Sequence, residues 1–189
     1  MPIRNTPERW GWVAKWLHWT VALAVIVMIG LGWWAERLPF GSLKVDVFWV
    51  HKSLGMLVLI AMALRLLWRL LNPAPALPDT LRPWERGAAH LTHWGLYALL
   101  IAMPVSGWVI NSAANFPLSV FGWFEVPAIA PADDDIKELA ASVHGALSWA
   151  IIAVVGLHVA AALKHHFVLK DDVLRRMLPF GRIEREDGA

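Results

Sequence analysis

Apolar residues gather along this chain into four long blocks, separated by stretches in which Pro, Gly and charged residues concentrate. The blocks run about Val13 to Trp34, Phe48 to Leu71, Gly87 to Ile110 and Leu139 to Leu163. As a helix, each is long enough to cross a hydrocarbon core of roughly 30 Å, which takes about 20 residues. The last block is the most uniform, with no Asp, Glu, Lys or Arg across its 25 residues. Arg65 and Arg69 fall in the last turns of the second block, where long basic side chains can snorkel to the headgroups. Pro104 predicts a kink inside the third. The pattern predicts an all-α fold, an integral membrane four-helix bundle in which residues 1–189 form a single membrane domain and residues 164–189 a polar tail.

The connections differ in character. Residues 36–46 read as a short turn, whereas residues 72–86 hold Pro73, Pro75, Pro78 and Pro83 and read as an extended strap without regular structure. Residues 111–138 pair an aromatic stretch (Phe116, Phe121, Trp123, Phe124) with Asp133, Asp134 and Asp135, which suits a segment on the membrane surface with its aromatics down. The first block is longer than the apolar region of a signal peptide and is followed by no small-residue cleavage pattern, so it reads as a retained span.

Composition agrees and adds exclusions. Hydrophobic residues make up 58% and charged residues 17%, with a mean hydropathy of +0.50, against about 25% charged in a soluble domain. Lipid is therefore a partner and nucleic acid is not expected. The absence of cysteine removes disulfides, thiolate metal sites, iron–sulfur clusters and the covalent attachment of c-type haem. Of the 17 basic residues, thirteen fall at the N-terminus, around the second connection and in the tail, including Arg182 and Arg185. Arg37, Lys44, Lys52 and Lys137 fall on the opposite side. Basic residues are retained on the cytoplasmic face, which places both termini in the cytoplasm of a plasma-membrane protein.

The histidines carry the chemistry. His144 and His158 are fourteen positions apart on the last block, so they leave one helix face about 40° apart in direction and about 21 Å apart in height. A polar ring in hydrocarbon needs a partner inside the bundle, and haem iron is a candidate. Alternating span directions bring His51 to the depth of His144 near the outer face, and His18 to the depth of His158 near the cytoplasmic face. Each pair would hold one haem between helices, as bundles commonly do. Two imidazoles close both axial positions of the iron and favour electron transfer over oxygen binding. Gly55, Gly145, Gly156 and Ala160 would leave room for the porphyrins. His90, His93 and His166 read as ordinary interfacial residues. His165 continues the His158 stripe within about 20°, and could donate a hydrogen bond to a quinone carbonyl; it reads equally well as a surface histidine at a helix end.

Several short motifs now make a resemblance visible: Leu17-His18-Trp19, His51-Lys52-Ser53-Leu54-Gly55, Ala89-His90-Leu91-Thr92-His93, Val143-His144 and the run from Gly156-Leu157-His158 to Lys164-His165-His166-Phe167. Together they resemble the bacterial cytochrome b561 family, small four-helix dihaem proteins of the inner membrane. The resemblance covers most of the chain and implies two haem b groups with His18, His51, His144 and His158 as axial ligands. It further implies electron exchange with ubiquinone and, for part of the family, superoxide:ubiquinone oxidoreductase activity.

The first functional reading is a dihaem cytochrome that takes single electrons at the outer haem, from superoxide or another periplasmic donor, and passes them through the inner haem to ubiquinone. Lys52, beside His51, would add a positive approach path for a small anion; it also reads as a headgroup contact. A second reading is a cytochrome subunit relaying electrons between a partner dehydrogenase or hydrogenase and the quinone pool. A third, a haem-free transporter or scaffold, predicts no Soret band.

Overall fold

The computed structural model describes residues 2–78 and 81–180. Arg182 and Arg185 lie outside the described residues. Four long helices dominate: α1 (Trp12–Arg37), α2 (Ser42–Leu71), α3 (Pro83–Ala113) and α4 (Asp134–Lys164). All four are long and apolar enough to cross a membrane. α4 runs on into a π-helical segment, His165–Leu169, and a short helix α5, Val173–Met177, follows.

α3 and α4 start ahead of their apolar blocks because polar caps add turns. Pro83 occupies the first turn of α3 and Glu85 accepts from the Arg82 backbone N–H at 3.0 Å, an arrangement that fixes a helix start. The strap is therefore confined to residues between α2 and Pro83. Asp133 caps α4 by accepting from Ile136 N at 2.9 Å, and Asp134 and Asp135 occupy its first turn, where carboxylates offset the helix dipole. The acidic cluster expected on a surface segment is thus a helix start. α3 continues as helix across Pro104.

α1 packs on α2 and α3 on α4, with α2 against α3. Val21, Val25, Val58, Met62, Tyr97 and Ile151 form the buried centre. Large apolar side chains such as Leu23, Ile26, Leu64, Leu67 and Leu157 face outward, as a lipid-facing surface requires.

One end of the bundle carries both terminal segments. Lys15 Nζ donates to Leu178 O at 2.9 Å and Trp19 Nε1 to Met177 O at 3.0 Å, while Asn5 Nδ2 donates to Asn72 O in the strap at 3.0 Å. At the other end, residues 114–132 contain a feature the apolar pattern does not reveal. This is an antiparallel hairpin of β1 (Leu118–Val120) and β2 (Phe124–Val126), turned through Phe121 and Gly122 at φ +49° and +74°. Ser53, fully buried on α2, donates to Ser119 O at 3.2 Å and accepts from Phe121 N at 3.1 Å. The hairpin is thereby fastened two residues from His51.

Candidate functional site

The four span histidines meet in the pairs that depth predicts. His51 of α2 and His144 of α4 have ring centres 6.4 Å apart at the hairpin end. His18 of α1 and His158 of α4 have ring centres 6.2 Å apart at the terminal end. A metal–imidazole bond of roughly 2 Å, plus about 1 Å from nitrogen to ring centre, separates two opposed axial ligands by about 6 Å. Both pairs have a spacing that would accommodate one iron between them.

At the hairpin end the surroundings are already arranged for a ligand. Ser106 Oγ lies 2.7 Å from Met103 O and 2.8 Å from His144 Nδ1. A hydroxyl has one hydrogen. Given to the carbonyl, it leaves the oxygen to accept from His144 Nδ1–H, and the lone pair on Nε2 is then free for a metal. His51 Nδ1 is buried without a hydrogen-bond partner among the described residues. Glycines form the walls: a Cβ at Gly32 would come 3.2 Å from His51 Cε1, and one at Gly107 3.3 Å from His144 Cε1. These two are the glycines that the rings require. Gly145 and Gly156 face open space and Gly55 meets only Met28.

The terminal end is more crowded. His93 of α3, expected at an interface, stands 5.6 Å from the His158 ring, because α3 starts at Pro83 and carries residue 93 about 15 Å along the helix. Arg65 does not snorkel away. Its Nη2 lies 2.8 Å from His18 Nδ1 and its guanidinium 5.5 Å from the centre of the Tyr97 ring. Trp19 packs edge-on against His18 at 5.3 Å.

His165 closes the stripe below His158. The π-helical segment ends at Lys170, whose φ of +53° reverses the chain, and Asp171 folds back so that its Oδ2 reaches His165 Nδ1 at 2.5 Å. Asp171 is held in turn by Val173 N at 3.0 Å. A carboxylate on Nδ1 orients the ring and leaves Nε2 for a ligand. π-Helical turns of this kind occur frequently at functional sites. His166 contacts Phe167 and has a buried Nδ1 with no hydrogen-bond partner among the described residues; it joins neither pair. Lys52 donates to Asn111 Oδ1 at 2.9 Å and lies 6.0 Å from the Phe116 ring, so its ammonium is tied to the segment beneath the hairpin.

The histidine pairs, the free Nε2 lone pair and the glycine walls fit a haem between helices. Comparison with known proteins points the same way. Residues 9–180 match the family model of prokaryotic cytochrome b561. The chain is 38% identical over 183 residues to cytochrome b561 homolog 2 of Escherichia coli, covering 94% of this chain and 95% of that one. It is 35% identical over 166 residues to the probable superoxide oxidase CybB of Yersinia pestis, covering 86% and 92%. It is also 29% identical over 169 residues to cytochrome b561 homolog 1 of E. coli, covering 86% and 93%.

Proposed function

The chain belongs to the prokaryotic cytochrome b561 family of membrane electron-transfer proteins, and on that premise we propose that it is a dihaem superoxide:ubiquinone oxidoreductase of the inner membrane. In this reading His51 and His144 hold the outer haem, and His18 and His158 the inner one. The observation that carries it is the pair of ring spacings, 6.4 and 6.2 Å, at opposite ends of one bundle. The likeness to a probable superoxide oxidase supports superoxide as the donor. When bound, the haems supply one-electron storage and transfer across the membrane.

The chain's residues do the rest. His144 is fixed with Nδ1–H on Ser106 and offers Nε2 inward. Gly32 and Gly107 let both outer rings approach the helix backbones. The hairpin, fastened by Ser53, covers that end. At the terminal end His165, when protonated on both nitrogens, donates from Nδ1 to Asp171 and from Nε2 to a quinone carbonyl. The net reaction takes two superoxide ions, one ubiquinone and two protons to two molecules of oxygen and one ubiquinol. Both termini face the cytoplasm in this orientation, supported by the excess of basic residues at that end, and ubiquinone is reduced there.

The deciding experiment is haem quantitation of the purified protein, followed by superoxide-driven ubiquinone reduction with no other protein present. Two low-spin b haems and partner-free turnover are expected. His144→Ala should remove one haem and His158→Ala the other. Retention of both haems in either variant overturns the ligand set, and turnover only with an added dehydrogenase overturns superoxide as donor.

A further inference from the structure

Arg65 and Arg69 project from the last turns of α2 inside a membrane span, and neither pairs with a carboxylate among the described residues. Aromatic faces surround them instead. Arg65 lies 5.5 Å from the Tyr97 ring, and Arg69 lies 5.6, 5.9 and 5.9 Å from the rings of Trp94, Trp10 and Tyr97. An ionised side chain at that depth is costly and by default marks a site that supplies its counter-charge.

Arg65 makes one side-chain hydrogen bond that cannot survive haem binding. A guanidinium only donates, so His18 Nδ1 accepts at 2.8 Å. An iron-bound imidazole has the opposite assignment, with Nε2 on the metal and Nδ1–H donating. Once His18 takes iron, Arg65 must release it, which frees guanidinium N–H groups beyond the one that the Tyr97 hydroxyl accepts. A narrow crevice of about 20 Å³, room for about one water, is lined by Arg65, Arg69, Trp68 and Tyr97. The Trp68 indole N–H is buried and has no partner among the described residues. The crevice thus offers two guanidinium groups and an indole N–H to whatever acceptor enters it.

We propose that Arg65 and Arg69 form the receptor for the propionate carboxylates of the inner haem, an inference that rests on the reading of His18 and His158 as that haem's ligands. A guanidinium fork matches a carboxylate through two parallel hydrogen bonds. The fork neutralises an anion carried into the membrane. Its positive charge also favours the reduced iron, so it raises the midpoint potential of the inner haem above what the same ligands would give alone.

The test is a potentiometric titration of both haems in the wild-type protein, Arg65→Gln, Arg69→Gln and Arg65→Lys, each also reconstituted with haem dimethyl ester, which lacks the carboxylates. In Arg65→Gln one midpoint should fall by about 59 mV or more, equivalent to a tenfold change in the one-electron equilibrium. The other midpoint should stay in place. Lys should recover part of the loss, and the ester, which removes negative charge beside the iron, should raise the wild-type midpoint and change the size of the Arg65→Gln shift. If Arg65→Gln fails to retain the inner haem, Arg65→Lys and the wild-type ester protein carry the same comparison. Unshifted midpoints in these proteins, or an Arg65→Gln shift of the same size with haem and with the ester, as a lipid phosphate partner would give, overturn the proposal. A wild-type protein holding fewer than two haems overturns the dihaem reading itself.

Discussion

Ser106→Ala isolates the hydrogen bond that sets the tautomer of His144. The hydroxyl bridges Met103 O at 2.7 Å and His144 Nδ1 at 2.8 Å from a buried position, so alanine removes the acceptor and leaves an N–H facing the helix. Stranding a buried donor costs roughly 1–3 kcal/mol. Loss of an outer-shell partner lowers metal affinity about 10- to 100-fold, which is about 1.4–2.7 kcal/mol. Met103 O, freed of the hydroxyl, is the nearest substitute acceptor, so the lower half of that range is expected. Haem loss to excess apomyoglobin in detergent measures it. One of the two haems should leave about tenfold faster in Ser106→Ala, the other at the wild-type rate, and Ser106→Thr should restore slow release. Equal effects of Ala and Thr, or an unchanged rate in Ala, would refute the assignment of this hydroxyl to His144.

Gly107→Ala places a methyl 3.3 Å from His144 Cε1 and should displace the ring by a few tenths of an ångström; Gly107→Leu should lose the outer haem while the inner one remains, and full occupancy of both would show that the wall is not needed. His165→Ala and Asp171→Asn should each slow ubiquinone reduction by an amount worth about 1–3 kcal/mol with both haem spectra nearly unchanged; loss of the inner haem instead would make the pair structural. A reporter active only in the periplasm, fused after the last residue, should stay silent, and activity would invert the orientation.

The histidine pairs were legible because two facts determine them: the helical repeat aligns residues 144 and 158, and alternating span directions assign depth to residues 18 and 51. Rotation about each helix axis is a different matter. It depends on packing, which is why Gly32 and Gly107, remote from the ligands in sequence, are found against the rings, while the open space at Gly145 and Gly156 leaves the room expected there. His93 looked interfacial because the apolar block begins at Gly87; Pro83 with Glu85 is the cap signature that would have moved the helix start four residues earlier and carried His93 inward. Arg65 looked like a snorkelling residue because its direction is set by His18 and Tyr97 on other helices. The hairpin escaped notice for a physical reason too. Strands of three residues are too short to show alternation, although Phe121-Gly122 between them is a turn candidate.

The two ends of the bundle differ in a way that bears on direction. Around His51 and His144 the charged neighbour is Lys52, held off on Asn111 and Phe116, and the walls are glycine. Around His18 and His158 stand Arg65, Arg69 and a third histidine. Positive charge in a low-dielectric setting stabilises a centre that has gained an electron more than one that has not. In the proposed dihaem reading, with two histidines at each end, the arginines would make the terminal end the better electron acceptor. The same end holds His165 on Asp171, where a proton can follow the electron. In that reading charge placement favours a path from the hairpin end to the terminal end, and removing Arg65, which contacts His18, should weaken that bias.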